Sequence, residues 1–246
     1  MKTHIHTISA IALLASLALG SVSCEKGTGT VTGEAVFSLK ITGQDMTKAA
    51  ANYSAGEYFT SGNGNDLMTV TCNGEEYTYK YGEDGLFYGS TQGQVLSFPE
   101  DGSALEGIGF TWPEGARPGE AVETDQSERS TFLGMDCLQG HISKVAPTAI
   151  IPVSMSHMRA RVTFTLVGEY SGQRIESLEI GGYKAYCDPA LDDAALILDP
   201  DGDTGRLGMG TEGTLTVGGE QIPFMINGIP DGMITAGNNF TVEITL

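Results

Sequence analysis

The sequence predicts an all-β protein, and three observations predict it. Many short apolar segments repeat with a two-residue period, 34 glycines punctuate the chain, and Asn-Gly and Gly-Gly pairs sit between alternating segments. Glycine and asparagine accept the positive φ angles that tight hairpin turns demand. No long stretch carries the repeat of an amphipathic helix.

The elements follow in chain order. Over 34–42, Ala35, Phe37, Leu39 and Ile41 share one face while Val36, Ser38 and Lys40 share the other, the pattern of a half-buried strand. Residues 67–72, the pair Asn73-Gly74 and residues 75–81 read as a hairpin. Tyr77, Tyr79 and Tyr81 share a face of its second strand, which reads as cross-strand packing. Further strands are expected over 95–98, 108–112, 148–153 and 159–167. In the last of these Ala160, Val162, Phe164 and Leu166 point inward, and Arg159, Arg161, Thr163 and Thr165 outward. Residues 177–180 and 194–198 follow, then a second hairpin over 214–226 turning on Gly218-Gly219. The chain ends with Phe240, Val242, Ile244 and Leu246 alternating with Thr241, Glu243 and Thr245. Residues 47–65 and 115–130 read as long polar connections. Strands of this number and spacing predict sandwiches, and the strand-bearing blocks predict two, over 34–146 and 147–246.

Residues 1–23 read as a signal peptide. Met1-Lys2 opens it, and an apolar core over 8–20, broken only by Ser9 and Ser16, is short for a membrane span. Two readings of its end stand side by side. Cys24 is the lipid-modified first residue of a lipoprotein, with Ser21 where a lipobox usually carries Leu. Alternatively, Ser21-Val22-Ser23 is an ordinary small-x-small cleavage site. In the first reading acyl chains on Cys24 tether the protein through a polar linker over 24–33. Cys72, Cys137 and Cys187 then remain, an odd number without metal-site spacing.

The net charge of −18 argues against a nucleic-acid partner, which needs a basic footprint. Asp199, Asp201 and Asp203 alternate, but Thr204 and Gly210 stand where a calcium loop of the EF-hand type wants Gly and Glu, so a polar turn is expected. There is no Gly-x-Ser-x-Gly elbow, no His-Glu-x-x-His and no phosphate loop, and His141 and His157 each stand alone. The chain thus reads as non-enzymatic, with no catalytic residues, cofactor or metal.

Four places resemble the fimbrillin-like proteins, subunits of type V fimbriae of anaerobic Gram-negative bacteria. They are the signal peptide ending at Cys24 with the early strand 35–39; Gly109-Phe110-Thr111-Trp112-Pro113 followed by Asp125-Gln126-Ser127 and a short apolar strand over 131–135; the 151–162 segment with His157 and Arg159; and the closing strand 234–246. The resemblance implies two consecutive transthyretin-like β-sandwich domains and assembly by strand exchange. The strand-exchange candidates are then Ala35, Phe37, Leu39 and Ile41 at the front and Phe240, Val242, Ile244 and Leu246 at the end. It also implies a lipid-anchored outer-membrane or fimbrial location. Other fimbrial subunits, and ligands on host or bacterial surfaces, are the implied partners. Polymerising members of the family are cut near the front at Arg or Lys. Here no Arg precedes Arg117, and Lys40 and Lys48 are the processing candidates within or after the first strand. Both an anchor or accessory subunit and a stalk subunit fit. The alternative from another class is a surface glycan-binding lipoprotein of a nutrient-uptake system, with Trp112 or Tyr79 as its platform.

Overall fold

The computed structural model of the protein describes residues 33–42, 59, 66–90, 94–117, 119–229 and 234–246. The first unit is built from β1 (Phe37–Thr42), β2 (Leu67–Cys72), β3 (Glu75–Tyr81), β4 (Phe87–Gly89), β5 (Leu105–Trp112), β6 (Leu138–Val145) and β7 (Ile151–His157). They close into a barrel in the order β1-β4-β3-β2-β5-β6-β7. Each neighbouring pair is antiparallel except the closure of β1 on β7, which is parallel. The expected hairpin is β2–β3, turning on Asn73 and Gly74 at φ 54° and 82°. Two successive positive φ angles give the turn the twist of its flanking strands.

Alternation places the large side chains inside. Phe37 packs edge-on to Tyr79 and Phe110, with ring centroids 4.8 and 5.1 Å away. Phe59 stands edge-on to Phe87 and Trp112 at 5.3 and 5.1 Å. Edge-to-face contacts of this kind add to the stabilisation from burial itself.

The second unit contains β8 (Ala160–Val167), β9 (Ser177–Ile180), β10 (Tyr183–Lys184), β11 (Tyr186–Cys187), β12 (Ala194–Leu198), β13 (Glu212–Val217), β14 (Glu220–Met225) and β15 (Asn239–Thr245). Two four-stranded sheets form, β10-β9-β13-β14 and β11-β12-β8-β15. Leu178, Ile180 and Leu215 from one and Val162, Phe164, Leu196 and Ile244 from the other share one core. This is a sandwich.

Several expectations are corrected. The first block closes on itself, because β7 takes β1 on one side and β6 on the other. A division at 146/147 would separate β7 from both partners, so the ladders divide the chain between His157 and Ala160. The segment expected as a strand over 131–135 lies largely in a short helix, α1 (Arg129–Gly134), which buries Phe132 and Leu133. Residues 95–98 make only an isolated bridge, Glu34 to Ser97. The strand β6 has no clean alternation: Leu138 is buried, Ile142 and Val145 are half-buried against the first core, and His141, Ser143 and Lys144 are exposed. Arg159, Arg161 and Thr163, expected in solvent, are buried. The β8 sheet is covered on both faces: Tyr186, Ala195 and Ile197 join the core of the first unit. Arg161 lies over the Phe132 ring, which stacks on Tyr186 at 5.0 Å.

The aspartates after β12 form the expected turn, and it fastens the long connection to the second unit. Asp199 accepts backbone N–H bonds from Asp201 and Gly202, both at 3.0 Å, and from Gly119 at 2.8 Å. Asp203 accepts from the Asp199 and Val122 backbone at 3.0 and 3.3 Å and from the Tyr183 hydroxyl at 2.7 Å. Each carboxylate therefore spends its lone pairs on protein donors. Burial, first, and the Asp203 partner push the Tyr183 hydroxyl pKa well up.

Two predictions follow from this packing. Phe37→Ala removes the ring at the centre of the first core and lowers stability by about 3–5 kcal/mol, read from the urea midpoint. Asp203→Asn turns an amide N–H₂ toward existing donors and destabilises by about 1–3 kcal/mol on the same measurement.

Candidate assembly surface

The two candidate exchange strands both pair within their own unit. β1 runs parallel to β7 in register from Phe37 opposite Ile151 to Thr42 opposite Ser156. The Ile151 N–H donates to the Val36 carbonyl at 2.8 Å, which sets the phase of the ladder. In a parallel ladder alternate residues turn both backbone groups to the same neighbour. Ser38, Lys40 and Thr42 thus bond to β7, while Phe37, Leu39 and Ile41 turn their backbone groups toward the β4 side. There the register is a single pair, Phe37 opposite Phe87. Ala35 and Phe37 are fully buried, and Leu39 and Ile41 are half-buried against the same core. Ala35 lies before β1 and donates its N–H to the Leu96 carbonyl at 2.8 Å.

β15 runs parallel to β8, from Asn239 opposite Arg161 to Thr245 opposite Val167. The Arg161 N–H donates to the Asn238 carbonyl at 3.0 Å. By the same alternation Phe240, Val242 and Ile244 bond to β8, and Thr241, Glu243 and Thr245 turn their N–H groups away from it. β15 is the last strand of its sheet, so among the described residues no strand pairs with that outer row. Val242 and Ile244 are buried, while Phe240 and Leu246 pack half-buried against the second core. β14 is the last strand of the facing sheet on the same side, and its Met225 is 63% exposed. An unpaired strand edge is where another chain's strand can add.

The processing candidate Lys40 sits in the middle of the β1–β7 ladder opposite Ser154, with its side chain in solvent. A protease needs an extended, unpaired backbone, so Lys40 becomes cleavable only when β1 leaves β7. Lys48 and Cys24 lie outside the described residues.

Between the units the chain passes from β7 to β8 through Met158 and Arg159, and this crossing is pinned. His157 Nδ1 lies 2.6 Å from the Asp136 carboxylate, both side chains buried. The Met158 N–H donates to the Cys137 carbonyl at 2.7 Å, Arg159 donates to the Met135 carbonyl, and the Gly237 N–H donates to the Arg159 carbonyl at 2.9 Å. Gln126 acts as a one-residue strand partner: its amide nitrogen donates to the Ile197 carbonyl and its oxygen accepts the Ile197 N–H, both at 2.8 Å. The sequence singled out His157 and Gln126 without their partners. Asp136 carried no pattern that could have marked it.

Among the described residues the buried thiols are poor nucleophiles. Burial pushes the Cys137 and Cys187 thiols up to about 11, so both stay protonated at neutral pH. Trp112 and Tyr79, the aromatic residues considered for a glycan platform, are both fully buried. A cleft of about 760 Å³ crosses the β10-β9-β13-β14 sheet near Glu179, Glu212 and Met225, and its aromatic neighbours Tyr183 and Phe224 are buried.

No protein-family model matches the chain, and no curated protein matches it. Solved structures do. A candidate cell adhesion protein from Bacteroides ovatus superposes with a TM-score of 0.57 at 11% identity, over 87% of this chain and 92% of its own. A candidate cell adhesion protein from Bacteroides uniformis gives 0.52 at 15% identity, over 89% and 93%. A fimbrial protein from Bacteroides ovatus gives 0.53 at 11% identity over 87% of this chain, which spans 50% of that longer protein. At these identities the likeness establishes the architecture, and this chain has the fold of Bacteroides fimbrial and candidate cell adhesion proteins.

Proposed function

We propose that this chain is a non-enzymatic subunit of a bacterial surface fimbria, of the fimbrillin-like kind, that joins its neighbours by strand addition. The observation that carries the reading is the β15 edge. The outward N–H groups of Thr241, Glu243 and Thr245 form a row that an extended segment of another subunit can pair with. Main-chain bonds supply the pairing, and Phe240, half-buried against the second core beside the seam, supplies apolar contact. We read the second unit as the transthyretin-like sandwich expected of such subunits and the closed first unit as its tandem partner, divided at the 158–159 crossing. Glu243→Pro removes one outward N–H and leaves the bonds to β8 in place. The variant is expected to fold with an unchanged urea midpoint and to lose incorporation into purified fimbriae. Normal incorporation would sink edge addition at β15.

Within that role we favour a membrane-retained anchor or accessory subunit, tethered by acyl chains on Cys24. Its support is the placement of Lys40 inside a hydrogen-bonded ladder, which protects the front strand from removal. Intact mass measurement on protein from native envelopes is expected to find a chain beginning at a lipid-modified Cys24. A lipid-free chain beginning after Lys40 or Lys48 would instead mark a processed stalk subunit.

A further inference from the structure

We propose that the molecule carries tension from end to end through two shear-loaded strand pairs in series, β1 on β7 and β8 on β15. β1 is parallel to β7 and enters the fold at its N-terminal end. β7 continues through Met158 and Arg159 directly into β8, with no intervening element. β8 is parallel to β15, whose C-terminal end carries the last residue of the chain.

Consider the chain held at residue 33 and pulled at residue 246. The load draws β1 toward its N-terminal end. It draws β7 the opposite way, because β7 is gripped at its C-terminal end by the crossing. Two parallel strands pulled from opposite ends slide along each other, so the six register pairs from Phe37–Ile151 to Thr42–Ser156 share the load. The same holds one step on. β8 is pulled from its N-terminal end and β15 from its C-terminal end, loading the seven register pairs from Asn239–Arg161 to Thr245–Val167 together. Antiparallel terminal strands gripped this way would open one bond at a time. A ladder in shear must break its bonds together, which raises the barrier that governs forced unfolding.

The crossing between the two ladders is held in the way such a path requires. The Met158 N–H bond to Cys137, the His157–Asp136 pair and the Arg159 bond to Met135 fix it to the first unit. The Gly237 N–H bond to the Arg159 carbonyl fixes it to the residues that lead into β15. Tension passing from β7 to β8 therefore meets a pinned corner, and the load stays in the ladders. The place of this device in a fimbria rests on the proposed role, while the mechanical property belongs to the fold.

Single full-length chains stretched in an optical trap test it. Handles at Gly33 and Leu246 load both ladders in shear. Handles at Gly33 and Ala149, which is exposed just ahead of β7, pull β1 and β7 apart from their adjacent N-terminal ends and unzip the same bonds. The rupture force is expected to be severalfold higher in the first geometry. Lys40→Pro deletes one N–H of the β1–β7 ladder and is expected to lower the shear force, whereas Lys40→Ala keeps that N–H and leaves the force unchanged. Equal forces in the two geometries, or an unchanged shear force with Lys40→Pro, would overturn the proposal. Either result leaves the assembly role standing, and normal fimbrial incorporation of the Glu243→Pro chain leaves the mechanical one standing.

Discussion

The structure depends on one constraint: the first and last described strands each lie parallel to one of the two strands that meet at the 158–159 crossing. A parallel pair cannot be closed by a hairpin, so each partner has to be brought from a distant part of the chain. β1 reaches β7 only after the rest of the first unit has been threaded between them, and that arrival closes the barrel. β15 reaches β8 only after the facing sheet is complete, and it arrives as an edge. One end of the molecule is thus sealed into a ring and the other left with an unpaired row.

The crossing also explains the unusual burial of polar side chains. The β8 sheet is packed on one face by its sandwich partner and on the other by α1 and the first unit. Arg159, Arg161 and Thr163 therefore lie in an interface instead of in solvent. Buried charges are tolerated where they find partners, and here they do. Arg159 bonds the Met135 carbonyl, Arg161 covers the Phe132 ring, and Thr163 donates to the Asn239 side chain at 2.8 Å. These bonds reach only specific positions, so they select one placement of the units where apolar contact alone would allow several.

Much of the fold was legible in the chain. The β2–β3 hairpin, β8, β12, the Gly-Gly hairpin and the closing strand follow from alternation and turn chemistry, which act over a few residues. The misreadings also have local causes. Residues 131–135 are apolar enough for a strand, but Phe132 and Leu133 bury equally well on one side of a single helical turn, against the first core. β6 carries no apolar alternation to mark it, since Gln139, Gly140, His141, Ser143 and Lys144 separate Leu138, Ile142 and Val145. The front and terminal strands were legible as strands. Nothing in them showed that both would pair in parallel, or that β15 would lie at the edge of its sheet.

What the sequence determined by itself is the all-β character, the turns, and which face of most strands turns inward. Those properties rest on side-chain alternation and on the φ angles that Asn73, Gly74, Gly218 and Gly219 accept. Tertiary structure alone decided the barrel closure, the unit boundary after His157, the burial of Arg161, and the joining of His157 to Asp136. Each of these depends on which distant strand arrives beside which. Backbone hydrogen bonds are the same for every sequence, so that choice is made by the fit of whole faces and not by any local pattern.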